Sequence, residues 1–407
     1  METAKAAVPF TPPPTIAATP KDTIFRDGTA SLYRFRPTPG GDADATNIPF
    51  LLVPSMINKW YVLDLRPGFS MAESMVEHGI DTYLLDWGTP NDEDRYLNWE
   101  LIIAKLARMV RRVKRHTGAD KVALLGYCMG GTLSSIYTSL HQDDVAAFIN
   151  LTAPIDFSKG GLLRTLVDEK WFDPYAMTAA GNLPAPQMES GFTSLRPTSK
   201  FSKWIMFADK RSKPGFVESF NALEQWAGDN IPFPAEAYQT YIHELYQQNL
   251  LYKGEHFVGG KRADLANITC PVLTVVASRD TICPAEAATA MNDLVSSEDQ
   301  SVLTIGGGHV GAVVGSRAPK QLYPAVAEWL IERFGKDAAP ALREVDAEED
   351  AGEELEPMEA RTRELEDMTV AQLRRVLRQH DIVTSGNKAE LVARIVAHEF
   401  GLSGEDE

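Results

Sequence analysis

A cysteine, an aspartate and a histidine lie along this chain in an order that suits nucleophilic acyl transfer. Cys128 sits in Gly126-Tyr-Cys-Met-Gly-Gly131, between the apolar run Lys121–Leu125 and the helical pattern Thr132–His141. Strand, glycine-rich turn and helix together describe a nucleophile elbow with Cys in place of Ser. The flanking glycines allow a tight turn that residues with a Cβ would resist. At a helix N-terminus the dipole and the free N–H groups favour a thiolate. The plain alternative is a small buried thiol in a turn. A thiol nucleophile needs a base, and the base needs an orienting acid. Of eight histidines, only His309 sits in a glycine-rich loop just after the last apolar strand run, Ser301–Ile305. Asp280 follows the preceding run, Pro271–Ala277, although a turn aspartate capping the next helix would look the same. An oxyanion would be met by the backbone N–H of Met129 and by a second donor after the run Ile48–Val53, near Met56 or Ile57. Cys270 and Cys283 read as structural.

The elements that must position these residues alternate. Short strands are expected between Thr23 and Arg36, and further strands at Ile48–Val53, Asp81–Asp86, Lys121–Leu125, Val145–Leu151, Pro271–Ala277 and Ser301–Ile305. Helices are expected at Ser70–His78, Trp99–Thr117, Ala285–Leu294 and Leu322–Phe334. Ser70 with Glu73 makes a capping box. The basic residues Arg108, Arg111, Arg112 and Lys114 read as a solvated helix face. Strand–helix alternation implies a parallel sheet with helices on both faces. The order nucleophile, acid, histidine is that of an α/β-hydrolase fold. Between about 158 and 261 the pattern breaks into an aromatic-rich segment with no clear strand. It is expected to be a mostly helical cap over the carboxyl edge of the sheet, some of its aromatics lining an acyl pocket.

Bulk properties narrow the function class. The chain has 407 residues, 44% hydrophobic, with a net charge of −16. That charge argues against general binding to nucleic acid or anionic membrane by the whole chain. Three widely spaced cysteines make neither a disulfide framework nor a zinc site, which suits a reducing cytoplasm. No run is long and apolar enough to span a bilayer, and the proline-rich residues 1–22 read as a disordered lead-in rather than a signal peptide. The domain at 23–338 is followed at 339–367 by an acidic linker. From Ala341 to Asp367 there are twelve acidic residues against three arginines. Residues 368–400 then form a small two-helix module.

Several stretches carry a family resemblance. The elbow, Pro54-Ser-Met-Ile-Asn-Lys-Trp-Tyr-Val-Leu-Asp64, Asp86-Trp-Gly-Thr-Pro90, Pro154-Ile-Asp-Phe157, Asp280–Pro284 and Gly307-Gly-His-Val-Gly311 resemble the polyhydroxyalkanoate synthases. The resemblance runs from about Phe35 to Phe334. Its length is similar to the shorter members, and the long N-terminal domain of others is expected to be absent. It implies polymerisation of (R)-3-hydroxyacyl-CoA into polyester with release of CoA. Cys128 would carry the acyl chain as a thioester, His309 would activate the thiol and the incoming 3-hydroxyl, and Asp280 would orient His309 or assist the hydroxyl directly. No cofactor or metal is implied. A polyester granule in the cytoplasm, a companion synthase subunit and a homodimer are the expected associations. Thr281 and Cys283 depart from the family's usual residues after the aspartate. A hydrolase or thioesterase on the same fold, or a non-catalytic granule or DNA tether, are the alternative readings.

The module at the C-terminus resembles a SAP domain, a helix–loop–helix DNA-binding unit, through Thr369-Val-Ala-Gln-Leu-Arg and Ser385-Gly-Asn-Lys-Ala-Glu-Leu391. Five basic residues stand against two acids between Thr369 and His398. Arg374, Arg375, Arg378, Lys388 and Arg394 are the candidate phosphate contacts; a protein-docking hairpin is the alternative.

Overall fold

Six of the strand runs pair side by side in parallel and form the centre of the structure. The computed structural model describes residues 13–37, 45–194, 204, 207–213 and 215–336, and beyond these residues 365, 373, 377 and 388–399. The sheet strands are β1 (Lys21–Asp27), β2 (Ala30–Phe35), β3 (Phe50–Val53), β4 (Thr82–Asp86), β5 (Val122–Tyr127), β6 (Val145–Leu151), β7 (Val272–Ala277) and β8 (Gln300–Ile305). Their order is β1-β2-β4-β3-β5-β6-β7-β8. Strands β3 to β8 run parallel, and β2 and β1 add an antiparallel edge.

Period-two alternation feeds two cores. On β5, Val122 and Leu124 face the cluster that holds Leu106 and Val110 of α2 (Trp99–Thr117) and Leu133 and Ile136 of α3 (Met129–Leu140). Ala123, Leu125 and Tyr127 face the cluster that holds Met71 and Met75 of α1 (Met71–Glu77). The same cluster takes Val326 and Leu330 from the last helix of the layer, Tyr323–Phe334.

Local signals explain the ends of these helices. Ser70 Oγ accepts from the Glu73 N–H at 2.9 Å, while the Glu73 carboxylate reaches back to the N–H of Gly68 rather than to the cap residue. Asn98 caps α2, and Gly118, at φ 76°, ends it. The basic face of α2 is less solvated than expected. Arg108 pairs with Asp27, Arg112 lies over the Phe25 ring at 4.4 Å, and Lys114 pairs with Asp144. These contacts tie α2 to β1 and to the turn before β6.

The lead-in is not wholly disordered. From residue 13 onward it is described, and the Ala17 N–H donates to the Asp64 carbonyl at 3.0 Å. Thr19 Oγ1 donates to the buried Asp64 carboxylate, and β1 begins at Lys21. The segment after Phe157 is a series of short helices, as its pattern predicts. It also contains a two-residue ladder, Phe257–Val258 with Lys261–Arg262, which the sequence does not announce. Among the described residues no helix is long and apolar enough to cross a membrane.

Met1–Ala339 and Pro340–Glu407 are separate compact units. In the second, the helix Lys388–Glu399 is described, and Leu365, Leu373, Leu377, Leu391, Val392 and Ile395 are buried together. The acidic linker apart from Leu365, and most of the first expected helix, lie outside the described residues.

Helix α3 leaves β5 across an unusually close approach. A Cβ on Gly130 would collide with the carbonyl oxygens of Val53 and Pro54, and one on Gly131 with Ala153 and Asn150. Backbone oxygens cannot swing aside as a side chain can. Gly130→Ala is therefore expected to lower the unfolding free energy by about 1–3 kcal/mol, read as a lower urea midpoint at unchanged m-value.

Candidate active site

Cys128 is the hinge between β5 and α3. Its backbone is at φ 55°, ψ −131°, a conformation that an L-residue rarely adopts. The strain thus sits on the cysteine itself. The glycines at 126, 130 and 131 are needed because backbone passes where their Cβ atoms would be. The turn is pinned by the Cys128 N–H donating to the Leu151 carbonyl and by the Gly131 N–H donating to the Cys128 carbonyl. Cys128 is half-buried, and its thiol opens on the cavity described below.

Asp280 and His309 are brought together by the ends of β7 and β8. The Ser278 N–H donates to the Ile305 carbonyl, and the Arg279 N–H to the Gly307 carbonyl at 2.8 Å, so the two loops are stitched edge to edge. His309 Nδ1 lies 2.7 Å from Asp280 Oδ2. The other carboxylate oxygen accepts the N–H groups of Ile282 and Cys283, each at 2.9 Å. The Asp280 side chain is wholly buried and that of His309 is 6% exposed. Two of the three glycines before His309 have a local structural reason. Gly306 leaves room for the Arg317 guanidinium, and Gly307 stands at φ 144°.

The other face of the imidazole is set by Tyr127, stacked on it at 5.5 Å with the rings 29° apart. His309 Nε2 is buried on the side of the ring away from the Asp280 bond, where Cys128 is its neighbour. Burial disfavours the imidazolium, but negative charge on the Cys128 sulfur and the bond and charge of Asp280 outweigh it and push His309 up to about 10. The imidazole is therefore held in its protonated form across neutral pH. Cys283 is buried at the cavity wall; burial, Asp280 and Cys128 together push its thiol well above the ordinary range. Burial takes Cys270 up to about 12. Neither is poised as a nucleophile.

Both sequence-predicted oxyanion donors lie beside this group. Met129 is the first residue of α3, where a helical N–H has no acceptor within its own helix. Ile57 lines the same cavity as Cys128, but its N–H donates to Ser55 Oγ over a long 3.4 Å. That bond must give way before Ile57 can meet an oxyanion. The loop carrying Ile57 is held by residues to which the sequence pattern assigns no role. Trp87 Nε1 donates to the Pro54 carbonyl at 2.9 Å. Trp226 Nε1 donates to the Lys59 carbonyl, Tyr61 Oη to Asp229, and Asn58 to Asn230. The tryptophan-containing motif Asp86-Trp-Gly is the one available signal, but the loop's other partners lie in the cap, far away in sequence.

The cap partly covers a cavity of about 270 Å³ over Cys128, His309 and Ile57. Its cap-side wall includes Leu163, Phe172, Leu183, Tyr241, Ile242 and Tyr246, so the space is largely apolar. Asn249 anchors the cap to the core. Its Oδ1 accepts the Phe157 N–H, and its Nδ2 donates to the buried Asp156, both at 2.9 Å. Of the five basic candidates in the second unit, Lys388 is exposed and Arg394 is half-buried, whereas Arg374, Arg375 and Arg378 lie outside the described residues.

Comparison with known proteins places this geometry. The α/β hydrolase fold model matches residues 48–316. The model for the N-terminus of poly-beta-hydroxybutyrate polymerase matches residues 7–76, so the likeness begins well before Phe35. A poly(3-hydroxyalkanoate) polymerase subunit PhaC from Haloarcula marismortui is 34% identical over 363 residues, covering 87% of this chain and 75% of that protein. Its namesake from Allochromatium vinosum is 34% identical over 317 residues, covering 77% and 89%. The chain belongs to the poly(3-hydroxyalkanoate) polymerase family. A putative lipase from Sulfolobus solfataricus shares the fold at TM-score 0.50 and 16% identity, covering 77% of this chain and 93% of that one. The SAP domain model matches residues 364–400.

The state of His309 is directly measurable. By NMR of labelled histidine, its imidazole is expected to titrate near pH 10, remaining protonated below that value. Asp280→Asn removes both a charge and a charged hydrogen-bond acceptor, so the midpoint should fall by at least about one pH unit.

Proposed function

We propose that this chain polymerises (R)-3-hydroxyacyl-CoA into a polyhydroxyalkanoate with release of CoA, through an acyl thioester on Cys128. The observation that carries the reading is the shared cavity: an elbow cysteine and an Asp280-bonded histidine open on one largely apolar space partly covered by the cap. The polymerase relatives support the reaction class.

In the proposed sequence, the Cys128 thiolate attacks the thioester carbonyl of the acyl-CoA. The oxyanion is met by the N–H of Met129 and, once released from Ser55, that of Ile57. The tetrahedral species collapses, the carbon–sulfur bond to CoA breaks, and the imidazolium of His309 protonates the leaving thiolate. His309, now neutral and oriented by Asp280, takes the proton of a 3-hydroxyl group. That oxygen attacks the acyl carbonyl on Cys128, an ester bond forms, and the Cys128 sulfur leaves as thiolate. Thioester exchange followed by ester formation needs no net oxidation. An apolar cavity favours the acyl acceptor over water, which is what separates a polymerase from a hydrolase on this fold.

We further propose that the chain works with a companion subunit, because its relatives are named as subunits, and that it sits on polyester granules in the cytoplasm. The SAP match and the local excess of basic residues support a tether to DNA through Arg374, Arg375, Arg378, Lys388 and Arg394.

Two experiments check these readings. Purified chain with its companion subunit and 3-hydroxybutyryl-CoA should yield CoA and polymer. Cys128→Ala should lose at least about a thousandfold in rate. Free 3-hydroxybutyrate in place of polymer would support the hydrolase instead. For the tail, full-length chain should bind duplex DNA at low salt. Alanine at the five basic positions should flatten the slope of log affinity against log salt by about 0.9 for each phosphate no longer neutralised. No binding at low ionic strength would refute the tether.

A further inference from the structure

Three tyrosines, Tyr238, Tyr241 and Tyr246, stand with Gln187 and Ser190 in a cavity wall that is otherwise mainly apolar. Tyr241 and Tyr246 are both buried, and both line the cavity that holds Cys128 and His309. Their rings meet edge to face, with centroids 5.3 Å apart. Other aromatics fix each ring. Tyr241 stacks on Trp99 at 6.0 Å, and Phe157 meets Tyr246 edge-on at 4.8 Å.

The backbone beneath them is unusual. Tyr241–Gln247 is a π-helix, a form that is rare and frequent at functional sites. Tyr241 and Tyr246 are five residues apart. In an α-helix at 3.6 residues per turn they would point about 140° apart. With i→i+5 bonding the turn is wider, and residues five apart come back to the same face. The π-helix is thus what brings both phenols into one cavity.

Each hydroxyl is a hydrogen-bond neighbour of the other. Both tyrosines line the cavity onto which Cys128 opens. Burial raises both phenols, as does charge on Cys128 and, for Tyr241, charge on Tyr246. Both phenols therefore stay protonated and can act as donor and acceptor at once. A buried hydroxyl pair beside an acyl-bearing sulfur is matched by a ligand with its own hydroxyl near the carbonyl.

We propose that Tyr241 and Tyr246 form the subsite that receives the 3-hydroxyl group of the acyl unit loaded on Cys128. The proposal rests on the polymerase reading above. It makes the cavity selective for 3-hydroxyacyl groups over plain acyl groups of the same length. An acyl chain without the hydroxyl leaves both phenols facing a methylene group, with no gain to offset their burial.

The test is single-turnover acylation of the full chain with its companion subunit, following CoA released from (R)-3-hydroxybutyryl-CoA and from butyryl-CoA. The native ratio of rates is expected to favour the hydroxyacyl substrate by at least about tenfold. In the Tyr241→Phe/Tyr246→Phe double variant that ratio should fall by about tenfold or more, with the unfolding midpoint checked to show that the variant folds. A native chain that makes polymer yet shows a ratio near one overturns the subsite alone. So does a folded double variant that keeps the native ratio within about twofold. A native chain that releases CoA from neither substrate overturns the polymerase reading and the subsite with it.

Discussion

A side chain held at positive φ costs an L-residue roughly 1–3 kcal/mol, and Cys128 is held there by everything around it. Its N–H is bonded to the end of β6 and its carbonyl to the start of α3. The helix then runs so close to the ends of β3 and β5 that only glycine fits at 126, 130 and 131. These contacts fix the sulfur at the carboxyl edge of the sheet and set α3 starting at Met129. In the proposed mechanism that one turn sets where the oxyanion would form and where the base would stand.

The second constraint is dielectric. Asp280 is fully buried, His309 nearly so, and the space they face is walled mainly by aliphatic and aromatic side chains. An isolated charge there would be expelled. Charge is tolerated there because it is paired, the Asp280 carboxylate with the His309 imidazolium. Tyr127 adds no charge of its own at neutral pH, since burial keeps its phenol protonated, and it serves as a flat wall that holds the imidazole plane.

Chain order and local patterning made much of this legible. The strands at Val145–Leu151 and near Pro271–Ala277, the helices Trp99–Thr117 and Ala285–Leu294, and the juxtaposition of Asp280 with His309 all follow from periodicity and loop position. What could not be read depends on contacts across long stretches of sequence. The pairing of Thr19 with Asp64 orders the lead-in, yet neither residue signals the other. Arg108 looks like an ordinary solvated residue until β1 folds beside it. The cap was visible only as a gap in the alternation, because short helices joined by bends leave no sustained period. The π-helical turn at Tyr241 has no sequence signature of its own.

The cap and the oxyanion loop are one mechanical unit, which gives the Asn58-Lys-Trp-Tyr61 stretch a physical explanation. None of these four residues needs to touch a substrate. Asn58, Lys59 and Tyr61 instead grip Asn230, Trp226 and Asp229 of the cap, while Trp87 holds the same loop from the core side through Pro54. Ile57 lies between the two grips. A cap that shifted relative to the sheet would drag this loop and change where the Ile57 N–H points. The long bond from Ile57 to Ser55 is the weakest contact in that stretch, hence the one most easily exchanged for a stronger acceptor. In the proposed mechanism, the seating of an acyl group under the cap and the completion of the oxyanion site would thereby be coupled through backbone. Acyl transfer is then favoured when the cavity is filled and the loop is gripped from both sides.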